Sequence, residues 1–187
     1  MSLFGRFLKG KSESGATAEQ PPQASKSSIP VVKGDFSRVT EAVKADLWQA
    51  IVQTEDIPAE SAEFVYEVAL RTAVSGNLYE MAEALKSLGI QKQRATELCR
   101  WLPRRAESLI SRDERIKLGL TEAIWVYSGA PCMANPSDGE SKSRDEAHRL
   151  ANGQKFNIAD GLTLNGKNTW PGYEQDCKCS SKSVLPF

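Results

Sequence analysis

The hydrophobic period of this chain changes once, at Gly119, and that switch restricts the fold more than any other feature. From Asp35 to Leu120, apolar residues recur every three or four positions, the spacing of helices with one buried face. Beyond Gly119 the apolar runs are short, β-branched and aromatic, and glycines separate them, as in small strands and turns. Helices first and a small antiparallel sheet last make an α+β arrangement.

Within the helical stretch, Val39, Val43, Leu47 and Ile51 repeat every four residues, with Ser37 placed to cap the N-terminus. A second helix is expected to open at Pro58 and run to Ser75. Its stripe is Ala62, Val65, Tyr66, Ala69, Leu70 and Ala73, and Gly76 stands where a left-handed residue ends a helix. A third begins at Asn77, has Glu80 in the capping-box position and stops at Gly89. Gln91 to Leu118 is helical in period, but Pro103 is expected to kink it or divide it in two. Leu98, Leu102, Ala106 and Leu109 form its expected buried face, and Cys99 lies on the apolar side as a core residue. After Gly119, strands are expected over 122–128, 155–158, 162–164 and 178–185. Gly153, Gly161, Gly166 and Pro171-Gly172 supply the turns.

Residues 1–33 are rich in Ser, Lys, Gln, Pro and Gly and read as a disordered leader. They hold too little apolar surface to offset the entropy of ordering them. Arg6, Lys9, Lys11, Lys26 and Lys33 stand against Glu13 and Glu19, a local net of +3. The division expected from pattern is therefore a leader (1–33), a helical region (34–120) and a small β-rich region (121–187). The whole chain balances 24 Lys and Arg against 24 Asp and Glu, so bulk charge points to neither a nucleic-acid binder nor a membrane-surface protein. No apolar run approaches a membrane span. The N-terminus lacks the apolar stretch and cleavage site of a secretory signal, so a cytoplasmic location is the expectation.

Three of the four cysteines and the only histidine fall in the last third: Cys132, His148, Cys177 and Cys179. Disulfides are rare in an intracellular setting, which leaves metal ligands or reduced thiols. Three Cys and one His are a common structural zinc set. The spacing is Cys-x15-His-x28-Cys-x-Cys, without the close Cys pair of a zinc knuckle. In an extended Cys-x-Cys, both thiols point to one side of the strand, so joint ligation is open to them. Two readings stand: a zinc that staples a sheet too small to hold itself together, or side chains that pack the sheet and hydrogen-bond locally.

The order of motifs here resembles the phage Mu F-like family, the minor head proteins of tailed phages. The resemblance rests on Gly-Leu-Thr-Glu-Ala-Ile-Trp-Val-Tyr-Ser-Gly-Ala (119–130) and Glu-Ala-His-Arg-Leu-Ala-Asn-Gly-Gln-Lys-Phe-Asn-Ile (146–158). It ends on Pro-Gly-Tyr-Glu-Gln-Asp-Cys-Lys-Cys from Pro171 to Cys179. It covers about a third of the chain, with 60–115 continuing it. Asp176 and Lys178 replace the commoner Asn and Arg, and Cys132 stands alone where some members have Cys-Pro-x-Cys. The chain is short for a full-length member, which fits a trimmed variant or one part of a split gene.

What the resemblance implies is a non-enzymatic minor head protein acting in head morphogenesis. It implies portal and head proteins as partners, the host cytoplasm during assembly, and then the interior of the prohead or virion head near the portal. No catalytic residue is implied. Trp125, His148, Trp170, Pro171, Cys177 and Cys179 become fold-holding residues. Lys92, Arg94, Arg100, Arg104, Arg105, Arg112, Arg115 and Lys117 are interleaved with Glu97, Glu107, Asp113 and Glu114. They form either a solvated helix face or a contact with packaged DNA.

Two other classes compete. A small metal-dependent nuclease or phage-derived toxin draws on Asp138, Glu140 and Lys142, expected in a Gly/Ser-rich loop, or on Cys132 as nucleophile with His148 as base. A stand-alone zinc-stabilised binding module draws on the four ligand-type residues alone. One histidine excludes a two-histidine metalloprotease and an HNH-type nuclease.

Overall fold

A computed structural model describes residues 36–129, 131–132 and 138–185. The expected disordered leader at 1–33 lies outside the described residues. The rest is α+β: four helices, then a small antiparallel sheet with a fifth helix inserted in it.

A 3-10 turn at Phe36–Arg38 precedes α1 (Glu41–Val52). The cap of α1 is Thr40 and not Ser37, because Ser37 is used in that turn; the Thr40 hydroxyl accepts from the Val43 amide at 3.3 Å. Helix α2 (Ala62–Ser75) follows a 3-10 turn at Ala59–Ser61 and ends at Gly76, whose φ of 72° is left-handed. Helix α3 (Leu78–Ser87) is capped by the Asn77 side chain, which accepts from the Tyr79 amide at 3.2 Å. Glu80 does not close a capping box. It is buried on the side facing α2, where it meets Arg71 Nε at 3.4 Å.

Helix α4 (Lys92–Lys117) is continuous through Pro103. The expected division does not occur, and the reason is tertiary. Leu98 and Leu102 before the proline, and Ala106, Leu109 and Ile110 after it, all bury in one core shared with α1, α2 and α3. Burying each large side chain contributes about 1.5–3 kcal/mol, so several together outweigh the roughly 3 kcal/mol that an interior proline costs. Cys99 belongs to that core, as expected.

The sheet is built on β1 (Glu122–Val126), which lies between β2 (Lys155–Asn157) and β5 (Ser180–Ser183) and is antiparallel to both. Ala123 pairs with Phe156 on one side and Ser183 on the other; Trp125 pairs with Ser181. The alternation along β1 buries Ala123 and Trp125 fully in a second core with Cys132, Ala151, Phe156, Ile158, Cys177 and Cys179. A separate hairpin joins β3 (Leu162–Leu164) to β4 (Lys167–Thr169) through Asn165-Gly166, both at positive φ (49° and 76°). That pair of dihedrals suits the right-handed twist of a two-residue hairpin.

Helix α5 (Gly139–Leu150) was not expected. Asp138, Glu140 and Lys142 are therefore not in a loop. Asp138 is the N-cap, and its carboxylate accepts from the Ser141 amide at 2.6 Å.

Polar contacts from α4 tie the two cores together. Trp101 Nε1 donates to the Tyr173 carbonyl at 3.2 Å, and Ser108 to that of Pro171 at 2.9 Å. Arg104 donates to the carbonyls of Lys178 and Cys179 at 3.3 and 3.2 Å. Arg105 lies over the Tyr173 ring at 3.8 Å and donates to Asp46 and to the Tyr173 hydroxyl, which itself donates to Asp46 at 2.7 Å.

Candidate metal centre

The four ligand-type residues come from three separate places and meet at one buried point. Cys132 follows β1, His148 is on the last turn of α5, and Cys177 and Cys179 lead into β5. Their exposures are 0, 1, 3 and 1%, respectively. The Cys-x-Cys pair does present both sulfurs to one side: His148 Nδ1 lies 3.5 Å from Cys177 Sγ and 3.8 Å from Cys179 Sγ. Cys132 Sγ is 3.6 Å from Cys179 Sγ, and all four donor atoms lie within 4.8 Å of one another.

Those separations can be tested against a metal. A tetrahedron with zinc–sulfur bonds of about 2.3 Å has edges of roughly 3.8 Å. The three distances of 3.5, 3.6 and 3.8 Å match that edge, and the longest needs about an ångström of contraction. Three thiols with one imidazole suit a borderline-soft cation and leave oxygen-seeking cations poorly served.

The surroundings favour ionisation at Cys132 over the other two sulfurs. The Gly172 amide donates to Cys177 Sγ and the Lys178 amide to Cys132 Sγ, each at 3.2 Å. Hydrogen bonds to the charged form lower a thiol's pKa. The Cys177 and Cys179 thiols, donating to Cys132, hold it far below its ordinary value, against the effect of burial. Sharing hydrogen bonds with that same sulfur pushes Cys177 up and Cys179 up to about 11. Burial opposes a charge on His148, but its contacts with Cys132, Cys177 and the Glu174 carboxylate outweigh it and raise the imidazole to about 11.

Several residues of the site have no counterpart in the sequence reading. Glu174 Oε2 faces the far nitrogen of His148, Nε2, at 3.6 Å, the position of a carboxylate that orients a ligating histidine. Contact with His148 holds the Glu174 carboxyl below its ordinary value despite burial. Asp145, one turn before His148 on α5, accepts from the Cys132 amide at 2.6 Å and from the Tyr127 hydroxyl at 2.9 Å. Arg144 donates to the Cys132 carbonyl and lies 3.7 Å from Asp176. Asp176 itself has a φ of 63°, a left-handed position that Asn and Asp tolerate best among residues with a side chain.

Trp125 packs edge-on against His148 with ring centroids 5.3 Å apart. Trp170 is half-buried; it donates Nε1 to the Ile158 carbonyl at 2.9 Å and lies under Arg112, and these contacts pin the Trp170-Pro171-Gly172 turn. Two features favour glycine at position 172. Its φ is 82°, and an added Cβ would stand 3.1 Å from Arg104 Nε.

A groove of about 910 Å³ lies between the ends of α2 and α3, α4 and the turn from Gly172 to Lys178. Its charged lining is mixed: Arg38, Arg100, Arg104 and Lys178 with Glu97, Glu107, Glu174 and Asp176. Among the described residues, no helix is long and apolar enough to cross a membrane. Comparison of the chain with protein-family models, with curated proteins and with solved structures gives no match.

Proposed function

We propose that this chain is a non-enzymatic minor head protein of a phage or prophage, and that one structural zinc closes its C-terminal region. The observation that carries the reading is the burial of all four donors, Cys132, His148, Cys177 and Cys179, none more than 3% exposed. Four protein ligands complete a tetrahedron and leave no position for a substrate or an activated water. Zinc bound there would cross-link β1, α5 and the approach to β5, supplying folding energy that a three-stranded sheet lacks on its own.

The sequence resemblance supplies the head-protein part of the proposal. The positions that carry it, Trp125, His148, Gly172, Cys177 and Cys179, are also those that converge on this one centre. A motif that marks a folding centre suits an assembly component, whose job is to hold shape while it meets portal and head proteins. Its place would be the host cytoplasm during assembly and then the prohead interior.

Two experiments test the two parts. Mass spectrometry of the untagged native protein should find one zinc per chain; a metal-free protein of unchanged stability would remove the zinc. Co-expression with portal and scaffolded head proteins should place the chain in sedimenting proheads. Its exclusion from them would overturn the head assignment while leaving the zinc intact.

A further inference from the structure

We infer that the cleft between α4 and the β5 side of the sheet binds a tetrahedral oxyanion of the phosphate class. This inference needs neither the zinc nor the head assignment. A cavity of about 250 Å³ lies there, away from the helical core. Along α4, Arg104, Ser108, Ser111, Arg112 and Arg115 fall on one continuous stripe and line it. Opposite stand Trp170, Pro171, Gly172, Ser180 and Ser181.

The charge in this cleft is unbalanced. Three guanidiniums face one lining carboxylate, Glu107. Arg112 is paired with Asp113 at 2.9 Å and stands 5.0 Å over the Trp170 ring. Arg104 donates only to the Lys178 and Cys179 carbonyls, and Arg115 to the Ser181 hydroxyl. Among the described residues, neither meets a carboxylate. Tying a helix to a sheet needs hydrogen-bond donors, which neutral side chains supply without mutual repulsion. Two unneutralised arginines converging on one partly enclosed space instead concentrate positive potential, and their planar forks match phosphate oxygens. The hydroxyls of Ser111 and Ser180 line the same space and add neutral donors.

The phosphate can be free or part of a nucleic-acid backbone, and calorimetry on the full chain at fixed ionic strength separates the two. One arm titrates inorganic phosphate, the other a short duplex DNA of arbitrary sequence. Saturable binding in either arm is expected, with Arg104→Gln and Arg115→Gln each weakening it roughly tenfold or more. Glu107→Gln should tighten it, an opposite sign that misfolding does not mimic. Arg100→Gln, which removes a charge outside this cleft, should leave it unchanged. Melting and metal content of each variant check the fold. No saturation in either arm would overturn the proposal. So would equal losses in Arg100→Gln and Arg115→Gln, since binding would then follow net charge and not the cleft.

Discussion

Replacing Cys177 by serine separates a metal centre from a packed cluster of thiols. In a metal-free protein the change is mild. The serine hydroxyl can still accept from the Gly172 amide and donate within the cluster beside His148 and Cys132, so the net loss is on the order of one hydrogen bond, about 0.5–1.5 kcal/mol. In a zinc-bound protein the same change removes a ligand from a site whose other donors stand 3.5 Å or so away and cannot substitute for it. With free zinc at a hundred times its dissociation constant, binding stabilises the fold by about 2.7 kcal/mol. For a chain of this size, each kcal/mol moves the melting midpoint by roughly 2–4 °C, so the expected drop is about 5–11 °C. Thermal melts followed by circular dichroism, with and without a chelator, form a four-way cycle for wild type and Cys177→Ser. Chelation should lower the wild-type midpoint by that amount and leave the variant where it already is. A wild-type melt unmoved by chelation, or a variant that still responds to it, would refute the reasoning.

Three further outcomes follow from neighbouring residues. Glu174→Gln keeps the shape beside His148 but loses the carboxylate, and competition with a chromophoric chelator should show zinc affinity reduced by about 10–100-fold with the fold intact. Gly172→Ala should destabilise by about 1–2 kcal/mol in chemical denaturation, because φ is 82° and the new Cβ meets Arg104. An unchanged midpoint would mean the turn relaxes freely. Tyr173 is pushed from its ordinary 10.0 up to about 12, by burial first and then by its bond to Asp46. Its neutral form is thus favoured in the fold, so the stabilisation is complete below pH 10 and is lost as the pH rises through 12. Tyr173→Phe should be less stable at neutral pH but have a flatter stability profile over that alkaline window; parallel profiles would contradict it.

Much of the helical half was readable because its signals are local. Asn77 caps α3 and Gly76 ends α2 through hydrogen bonds and dihedrals within a few residues. The same locality misled at Ser37 and Glu80. One is used in a 3-10 turn, and the other is drawn into an ion pair with Arg71 that a linear pattern does not show. Helix α5 was missed because it has no apolar stripe. His148 is its one buried residue, and the helix is held by its Asp138 cap and by the contacts of Asp145 and His148. Strand β4 was missed although Asn165-Gly166, a strong hairpin signal, stood directly before it.

The sequence by itself determined which residues have ligand chemistry, where the helices before Gly119 lie and where the character of the chain turns to strand. These depend on side-chain type and on spacing along the backbone. The tertiary structure alone decided that Pro103 sits inside one unbroken helix, because the burial that outweighs its cost comes from three other helices. It alone decided that Cys132, His148, Cys177 and Cys179 share one point, since 44 residues of chain lie between the first and the Cys-x-Cys pair. And it alone put Glu174 behind His148, where no pattern of residue types would place it, because that contact exists only once the Tyr173–Cys177 turn has folded onto α5.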